Sequence, residues 1–474
     1  MAMITMIKKR DGRQVPFNIE KIANAIFKAA QTVGGKDYSE AMELADRVCQ
    51  QLSEEVIGRD PSVEEVQDMV ERVLVEQGHA KTAKAYILYR ADRTRAREMN
   101  STLMKIYEDL TFMSASDCDI KRENANIDGD TAMGTMLKYG SEGAKQFNEM
   151  YVLDPKHSQA HINGDIHIHD LDFLTLTTTC CQIDLLKLFH GGFSTGHGYL
   201  REPNDISSYA ALACIAIQSN QNDQHGGQSV PIFDYAMAEG VKKTFRRLYT
   251  TNLAKAVSFT LGIEDYTEVL EEFKLIAGDI AKEYGLYPSL QNNDEYKAKE
   301  WEIASAKYGD EFSHLQDRAE KLAESETDRA TYQAMEALIH NLNTMNSRAG
   351  AQNPFSSINY GTDTSPEGRM VIKNVMLAEE HGLGNGETPI FPIHIFKVKE
   401  GVNYNPGDPN YDLFKLAIRV SAKRMFPNFS FIDAPFNLQY YKPGDYHTEA
   451  ARTLIHITLR APELSATFTT RAAR

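Results

Sequence analysis

Cysteine is scarce in this chain: five residues in 474, and no two of them form a C-x-x-C pair. So few thiols in so long a chain exclude a disulfide framework. The missing C-x-x-C also leaves no basis for a structural zinc site built from these residues. Basic excess is lacking too, with 51 Lys and Arg against 66 Asp and Glu and a net charge of −15. A general duplex-binding surface needs clustered cations and is therefore excluded, whereas a small basic nucleotide pocket is not. No apolar run reaches the roughly 18 residues of a membrane span, and the N-terminus has no signal-peptide h-region. A cytoplasmic protein is expected. What remains is an ordinary globular composition, 42% hydrophobic and 25% charged, in a chain long enough for more than one domain.

The first 95 or so residues read as a separate module. "MITMIKKRDGRQVPF" places a DG turn between two short extended runs, a hairpin signal. In "NIEKIANAIFKAAQTV", Ile19, Ile22, Ala23, Ile26 and Phe27 form one helical stripe behind Asn18 as N-cap. Two more amphipathic helices follow, "SEAMELADRVCQQLSEE" and "PSVEEVQDMVERVLVEQG". The latter has Ser62 as cap and Gly78 at its end. "AKTAKAYILYRADRTRARE" predicts a fourth. Lys8, Lys9, Arg10 and Lys21 bracket the turn and a helix N-terminus, where free N–H groups favour anions.

The remainder has mixed α/β character. "ACIAIQ", "PIFPIHIFKV" and "FSFIDAPF" read as buried strands, and residues 251–346 as charged helices. "GDIHIHDLDFLTLTTTCCQ" poses the chemical question. On a strand, Asp165, His167 and His169 would share one face. H-x-H at a strand end suits a barrel metal hydrolase. That needs further ligands, and His394 and Asp433 are weak recruits, so histidines hydrogen-bonded in a polar cavity are the better expectation and no metal is assigned. Cys180 and Cys181 cannot both face one cavity from a regular strand.

Longer motifs carry a resemblance. Residues 4–93, through "KKRDGRQVPFNIEKIANAI", "PSVEEVQDMVERVL" and "AKAYILYR", resemble the ATP-cone, a regulatory nucleotide module. That likeness implies ATP or dATP as effectors, lined by Lys9, Arg10, Asn18 and Lys21, with Ser62 and Arg90 as weaker matches. Residues 100–449 resemble the anaerobic ribonucleoside-triphosphate reductases. They do so through "TTTCCQIDL", "NQNDQHGGQSVPIFDYAMA", "NSRAGAQNPFSSINYGTDTSPEGR" and "RMFPNFSFIDAPFNLQYYKPGDY". The resemblance implies a ten-stranded α/β barrel of the glycyl-radical type, here incomplete, behind a helical ATP-cone. It also implies a radical-SAM activating enzyme as partner, formate as reductant, ribonucleoside triphosphates as substrates and a homodimer. Cys180, by its "TTTC" context, matches the family's hydrogen-delivering cysteine, with Cys181 its outward neighbour. His169, Gly226, Gly227, Ser356, Ser357 and Asn359 are expected to hold substrate.

The chain departs from this pattern after "YYKPGDYHTEAA". Where the family continues with a "YMGC" loop, residues 450–474 read "AARTLIHITLRAPELSATFTTRAAR", an aberrant tail. No cysteine lies beyond Cys214, and the glycyl-radical motif and its cysteine-bound zinc are not encoded. A reductase inactive by itself is therefore expected. The alternatives are a catalytically dead nucleotide-binding fragment and, more remotely, the metal hydrolase.

Overall fold

The computed structural model describes residues 4–9, 13–57, 59–114, 117–118, 128–174, 179–309, 311–348 and 350–438. Arg10, the "TTT" residues before Thr179 and the segment 450–474 lie outside them. The chain divides into two compact units, one of residues 1–112 and 142–172, the other of residues 113–141 and 173–474.

In the first unit the expected hairpin is the antiparallel pair β1 (Met6–Lys8) and β2 (Gln14–Pro16), closed by Lys9 N–H donating to Arg13 O at 2.8 Å, while the DG residues between them lie outside the described residues. Helices α1 (Ile19–Thr32), α2 (Tyr38–Glu55), α3 (Val63–Glu76) and α4 (Ala80–Phe112) follow. Asn18 caps α1 by accepting from Glu20 N at 2.8 Å. The helical stripes meet as foreseen: Ile22, Ala23 and Ile26 are buried with Val48, Leu52, Val70 and Val73 in one core. Helix α5 (Ala132–Phe147) passes from the second unit into the first, and α6 (Pro155–Asn163) ends at left-handed Gly164.

The second unit is built on a parallel sheet of five strands: β3 (Thr179–Gln182), β6 (His225–Val230), β7 (Ser356–Tyr360), β8 (Ile393–Val398) and β9 (Asn428–Phe431). Neighbours in the sheet are neighbours in the sequence, as helical crossovers require. Between β3 and β6 run α7 (Leu185–Phe189), a small hairpin of β4 (Phe193–Ser194) and β5 (Tyr199–Leu200), and α8 (Ile206–Asp223). Helices α9 (Phe233–Leu261), α10 (Thr267–Tyr284), α11 (Asp294–Tyr308) and α12 (Phe312–Thr344) separate β6 from β7. Helix α13 (Pro366–His381) leads to β8, α14 (Tyr411–Arg424) to β9, and the short α15 (Pro435–Leu438) follows. The expected ten-stranded barrel is represented among the described residues by these five strands.

"ACIAIQ" is not a strand. It is the middle of α8, where Ala213, Cys214, Ala216 and Ile217 are buried. A short apolar run buried on more than one side has no diagnostic period, and Asp205 with Ser208 forms a capping box that starts a helix there. Helices α9 to α12 hold a core of their own, with Tyr249, Phe273, Tyr296 and Phe312 at its centre.

Candidate active site

Alternation along the sheet separates two faces. Val230, Ile358, Tyr360, Phe396 and Val398 join the core with α8, α9, α12 and α13. The opposite face presents Ser229, Ser357, Asn359, Lys397 and Ser430, all buried. Register ties them together: Ser229 pairs with Ser357, and Lys397 with Ser430. The hydroxyls of Ser229 and Ser430 find no hydrogen-bond partner among the described residues. A buried polar atom left unpaired costs on the order of 1–3 kcal/mol, so a sheet face of this composition is one that a polar ligand or ordered water completes.

Cys180 and Cys181 lie at the edge of this sheet in β3. The ladder pairs Thr179 with His225 but Cys181 with Gln228, so Gly226 and Gly227 together oppose Cys180. This is a bulge, and it takes Cys180 to φ +47° and Gly226 to φ +101°. A Cβ on Gly226 would stand 3.1 Å from the Cys180 nitrogen and 3.2 Å from its Sγ. The close approach that Gly226 makes is therefore to Cys180, which a side chain at this position would obstruct. Cys181 is turned to the helix layer. Its Sγ accepts from Asn220 Nδ2 of α8 at 2.9 Å, and the same amide donates to Gln228 Oε1 at 2.7 Å. Burial pushes the Cys181 thiol up against the opposing effect of Asn220, so it stays protonated at neutral pH. We expect Gly226→Ala to lower stability by roughly 1–3 kcal/mol through overpacking and backbone strain. Denaturant unfolding measures this; a midpoint unchanged from wild type would show that the bulge relaxes freely.

The remaining expected substrate residues are scattered in their roles. Ser357 and Asn359 belong to the polar face. Ser356 belongs to the other, its Oγ donating to Pro354 O at 3.1 Å. The strand expected for "GDIHIHD" does not form: residues 165–170 are turn and coil, and His167 and His169 are exposed. Helix α6 ends at Gly164 and the chain folds back over it, Asp165 N–H bonding Ala160 O at 2.9 Å and Ile168 N–H bonding His161 Nδ1 at 3.2 Å. Those bonds take the groups that a sheet neighbour would have used. His169 Nδ1 lies 2.8 Å from Asp170 Oδ2, whose hydrogen bond raises the imidazole pKa.

In the first unit, Lys9, Asn18 and Lys21 surround the hairpin and the start of α1. Ser62 and Arg90 have other partners. Ser62 caps α3 in a reciprocal box with Glu65, its backbone N–H donating to the carboxylate at 2.8 Å. Arg90 is held by Glu64 at 2.8 Å, Asp68 at 2.5 Å and Glu71 at 2.8 Å. Three carboxylates around one guanidinium leave it no open fork for a phosphate.

Sequence reasoning overlooked Ser229, Lys397, Ser430 and Asn220. A signal existed for Ser430, since "NFSF" alternates polar and apolar residues, but not for Ser229, which follows Gln228 in "HGGQSV", nor for Lys397, which stands three places after His394 in "IHIFKV". Asn220 had no such signal, since its partner Cys181 lies 39 residues away.

A sequence model of the family described as anaerobic ribonucleoside-triphosphate reductase matches residues 123–470, and one of the ATP cone domain matches residues 5–95. The chain belongs to the anaerobic ribonucleoside-triphosphate reductase family. Enzymes of that name from Salmonella typhimurium and Escherichia coli are each 28% identical to it, over 429 and 430 residues, covering 90% of this chain and 51% of theirs. The chain thus spans about half the length of the curated relatives it matches. A vitamin B12-dependent ribonucleoside-diphosphate reductase from Thermoplasma acidophilum is 42% identical over 113 residues, 23% of this chain and 14% of that protein. The anaerobic ribonucleotide reductase of Thermotoga maritima, in its crystal structure with dATP and CTP, gives a TM-score of 0.40 at 14% identity, over 71% of this chain and 50% of that one.

The two recruits weighed for a metal site have other partners. His394 Nδ1 is 2.9 Å from the Tyr360 hydroxyl on the helix side of the sheet, and Asp433 accepts from Glu400 N at 2.7 Å. Neither is presented to a shared metal, and no group of three His, Cys, Asp or Glu fit to hold one occurs among the described residues. No described helix is long and apolar enough to cross a membrane. The family match reaches residue 470, through most of the segment whose sequence departs from the expected motifs.

Proposed function

We propose that this chain contributes the substrate-holding sheet and the effector module of a cytoplasmic, homodimeric reductase. Its substrates are ribonucleoside triphosphates, its reductant is formate, and ATP and dATP control it. The observation that carries this is the buried polar sheet face beside Cys180, with the unpaired hydroxyls of Ser229 and Ser430. Ser357, Asn359 and Lys397 bind and orient the ribose and its polar substituents there. Cys180 returns a hydrogen atom to the sugar, an S–H function that a serine could not perform. A glycyl radical, charged by a radical-SAM activating enzyme, would supply the initiating hydrogen abstraction.

Residues 215–474 contain no cysteine, so the hydrogen-abstracting thiyl is not available within these residues. The 474-residue polypeptide alone is expected to give neither a glycyl radical signal nor a deoxynucleotide. The assay is anaerobic, with activating enzyme, S-adenosylmethionine, formate and a ribonucleoside triphosphate, read by electron paramagnetic resonance and chromatography. Both signals together would refute the dependence on an outside thiyl.

Effector control is tested separately. Lys9 and Lys21 lie beside the hairpin and the N-terminus of α1, where cations and the helix dipole favour a triphosphate. ATP and dATP are expected to bind with micromolar-range affinity, about −8 kcal/mol. Lys9→Ala with Lys21→Ala should weaken binding by tenfold or more, roughly 1–2 kcal/mol in charge-assisted contacts. Equal calorimetric affinity in the double variant would remove the effector site from this hairpin.

A further inference from the structure

Arg348 sits in the loop that joins α12 to β7, and nothing in the proposed chemistry uses it. Its guanidinium donates to the backbone carbonyls of Gln221 and Gln224 at the end of α8, and to Gln352 Oε1 at 3.2 Å. Three further bonds join the same two segments or lock the turn beside them. Ser347 Oγ donates to Gln221 Oε1, Gln221 Nε2 to Asn353 O at 3.1 Å, and Gln224 Nε2 to Gly226 O at 3.1 Å. The last of these reaches the glycine on which a Cβ would stand 3.2 Å from the Cys180 Sγ.

A helix C-terminus carries unpaired carbonyls and partial negative charge, and a cation there stabilises it. Arginine is suited because its planar fork engages two carbonyls at once, where an ammonium is a point charge. The segment so held, Gln224 and the first residues of β6, includes Gly226 and Gly227, which oppose Cys180 in the bulge. On its β3 side the segment is restrained by strand pairing and by the Phe173 ring stacked on His225 at 3.8 Å.

We infer that Arg348 is a positioning residue for Cys180: it fixes the α8–β6 turn and through Gly226 sets the exposure and orientation of the Cys180 thiol. The consequence for turnover rests on Cys180 being the hydrogen donor proposed above; the clamp itself does not.

The test measures alkylation of Cys180 by iodoacetamide in the whole chain, site by site by mass spectrometry, in wild type, R348A and R348K. Cys180 should react roughly threefold or more faster in R348A as the thiol gains access. R348K, engaging one carbonyl, should lie between, and Cys49 in the other unit should react at its wild-type rate. An unchanged Cys180 rate in folded R348A overturns the inference. Should R348A not fold, R348K decides, because its single contact must still shift the rate, and a wild-type rate there overturns it equally. In a turnover assay of the complete reductase, kcat should fall roughly tenfold with KM little changed, as for a displaced reacting group. Full turnover in C180A would instead remove Cys180 from the chemistry while leaving the clamp intact.

Discussion

Replacing Cys180 with alanine is expected to reduce deoxynucleotide formation to background in a reductase supplied with its radical-accepting cysteine and glycine. No neighbour can substitute. Cys181 is turned to α8, where burial pushes its thiol up against the opposing hydrogen bond from Asn220. Cys214 lies inside α8, buried to 2% exposure, and burial pushes its thiol up to about 12. Cys118 is buried as well. Buried thiols of this kind behave as small hydrophobes. Cys181→Ala should retain measurable turnover, since it removes one weak N–H···S contact and leaves the bulge in place. Product chromatography under anaerobic conditions decides, with ATP binding measured alongside to show that each variant is folded. If C181A loses product and C180A keeps it, the two roles are exchanged.

The second large effect concerns Glu300 in the helical core of α9 to α12. Its carboxyl is 1% exposed and accepts from Tyr249 at 2.7 Å, Gln316 at 2.8 Å and Tyr296 at 3.2 Å. Burial outweighs these donors and raises the group to about 7. Because the folded value lies above the unfolded one, its contribution to stability is fully present below the ordinary value of 4.5 and is lost as pH rises toward 7. A displacement of about two and a half units corresponds to roughly 3 kcal/mol. Glu300→Gln keeps the shape and removes the proton. Relative to wild type, the variant should therefore gain up to about 3 kcal/mol between pH 5 and pH 8. Comparing the two proteins in urea across that range isolates Glu300 from other titrating groups. A difference constant with pH would mean that this carboxyl ionises normally.

The sheet contains a related case in which the geometry admits two protonation patterns. His394 Nε2 is 3.5 Å from Glu379 Oε2, and both side chains are buried. Neither carboxylate oxygen has a hydrogen-bond donor among the described residues, so nothing offsets the cost of an ion pair there. Burial raises Glu379 and lowers His394, which favours the neutral acid beside the neutral imidazole. The pair then binds one proton in the folded state, as many as the separate groups bind unfolded between their ordinary values.

How much of this was legible depended on distance along the chain. The N-terminal module could be read almost whole. Its hairpin needs only the DG turn, α1 only Asn18 and an apolar stripe, and α3 only Ser62 and Glu65 three residues on. Each of these signals acts within about four residues, the reach of a helical hydrogen bond or a cap. The family motifs likewise stood in the linear sequence, and so did the alternation in "NFSF" that marks a strand with one polar face.

Long-range partners decided the rest. "ACIAIQ" became helix because α9 and α12 cover it on more than one side, which erases the period that would have distinguished it from a strand. "GDIHIHD" had strand alternation but found no neighbour, and without a ladder its backbone bonded back to α6. Arg90 could be placed in a phosphate pocket only until α3 brought Glu64, Asp68 and Glu71 around it. At the site itself, the sequence alone determined that a cysteine pair precedes a diglycine. Only the tertiary structure decided that Gly226 backs the Cys180 thiol, that Asn220 draws Cys181 to the helix layer, and that Arg348 fastens the turn between them. The physical reason is that a bulge, a thiol contact and a carbonyl clamp each need two segments in register. Those segments are 39 to 127 residues apart here, and register between them exists only once the sheet and its helices have packed.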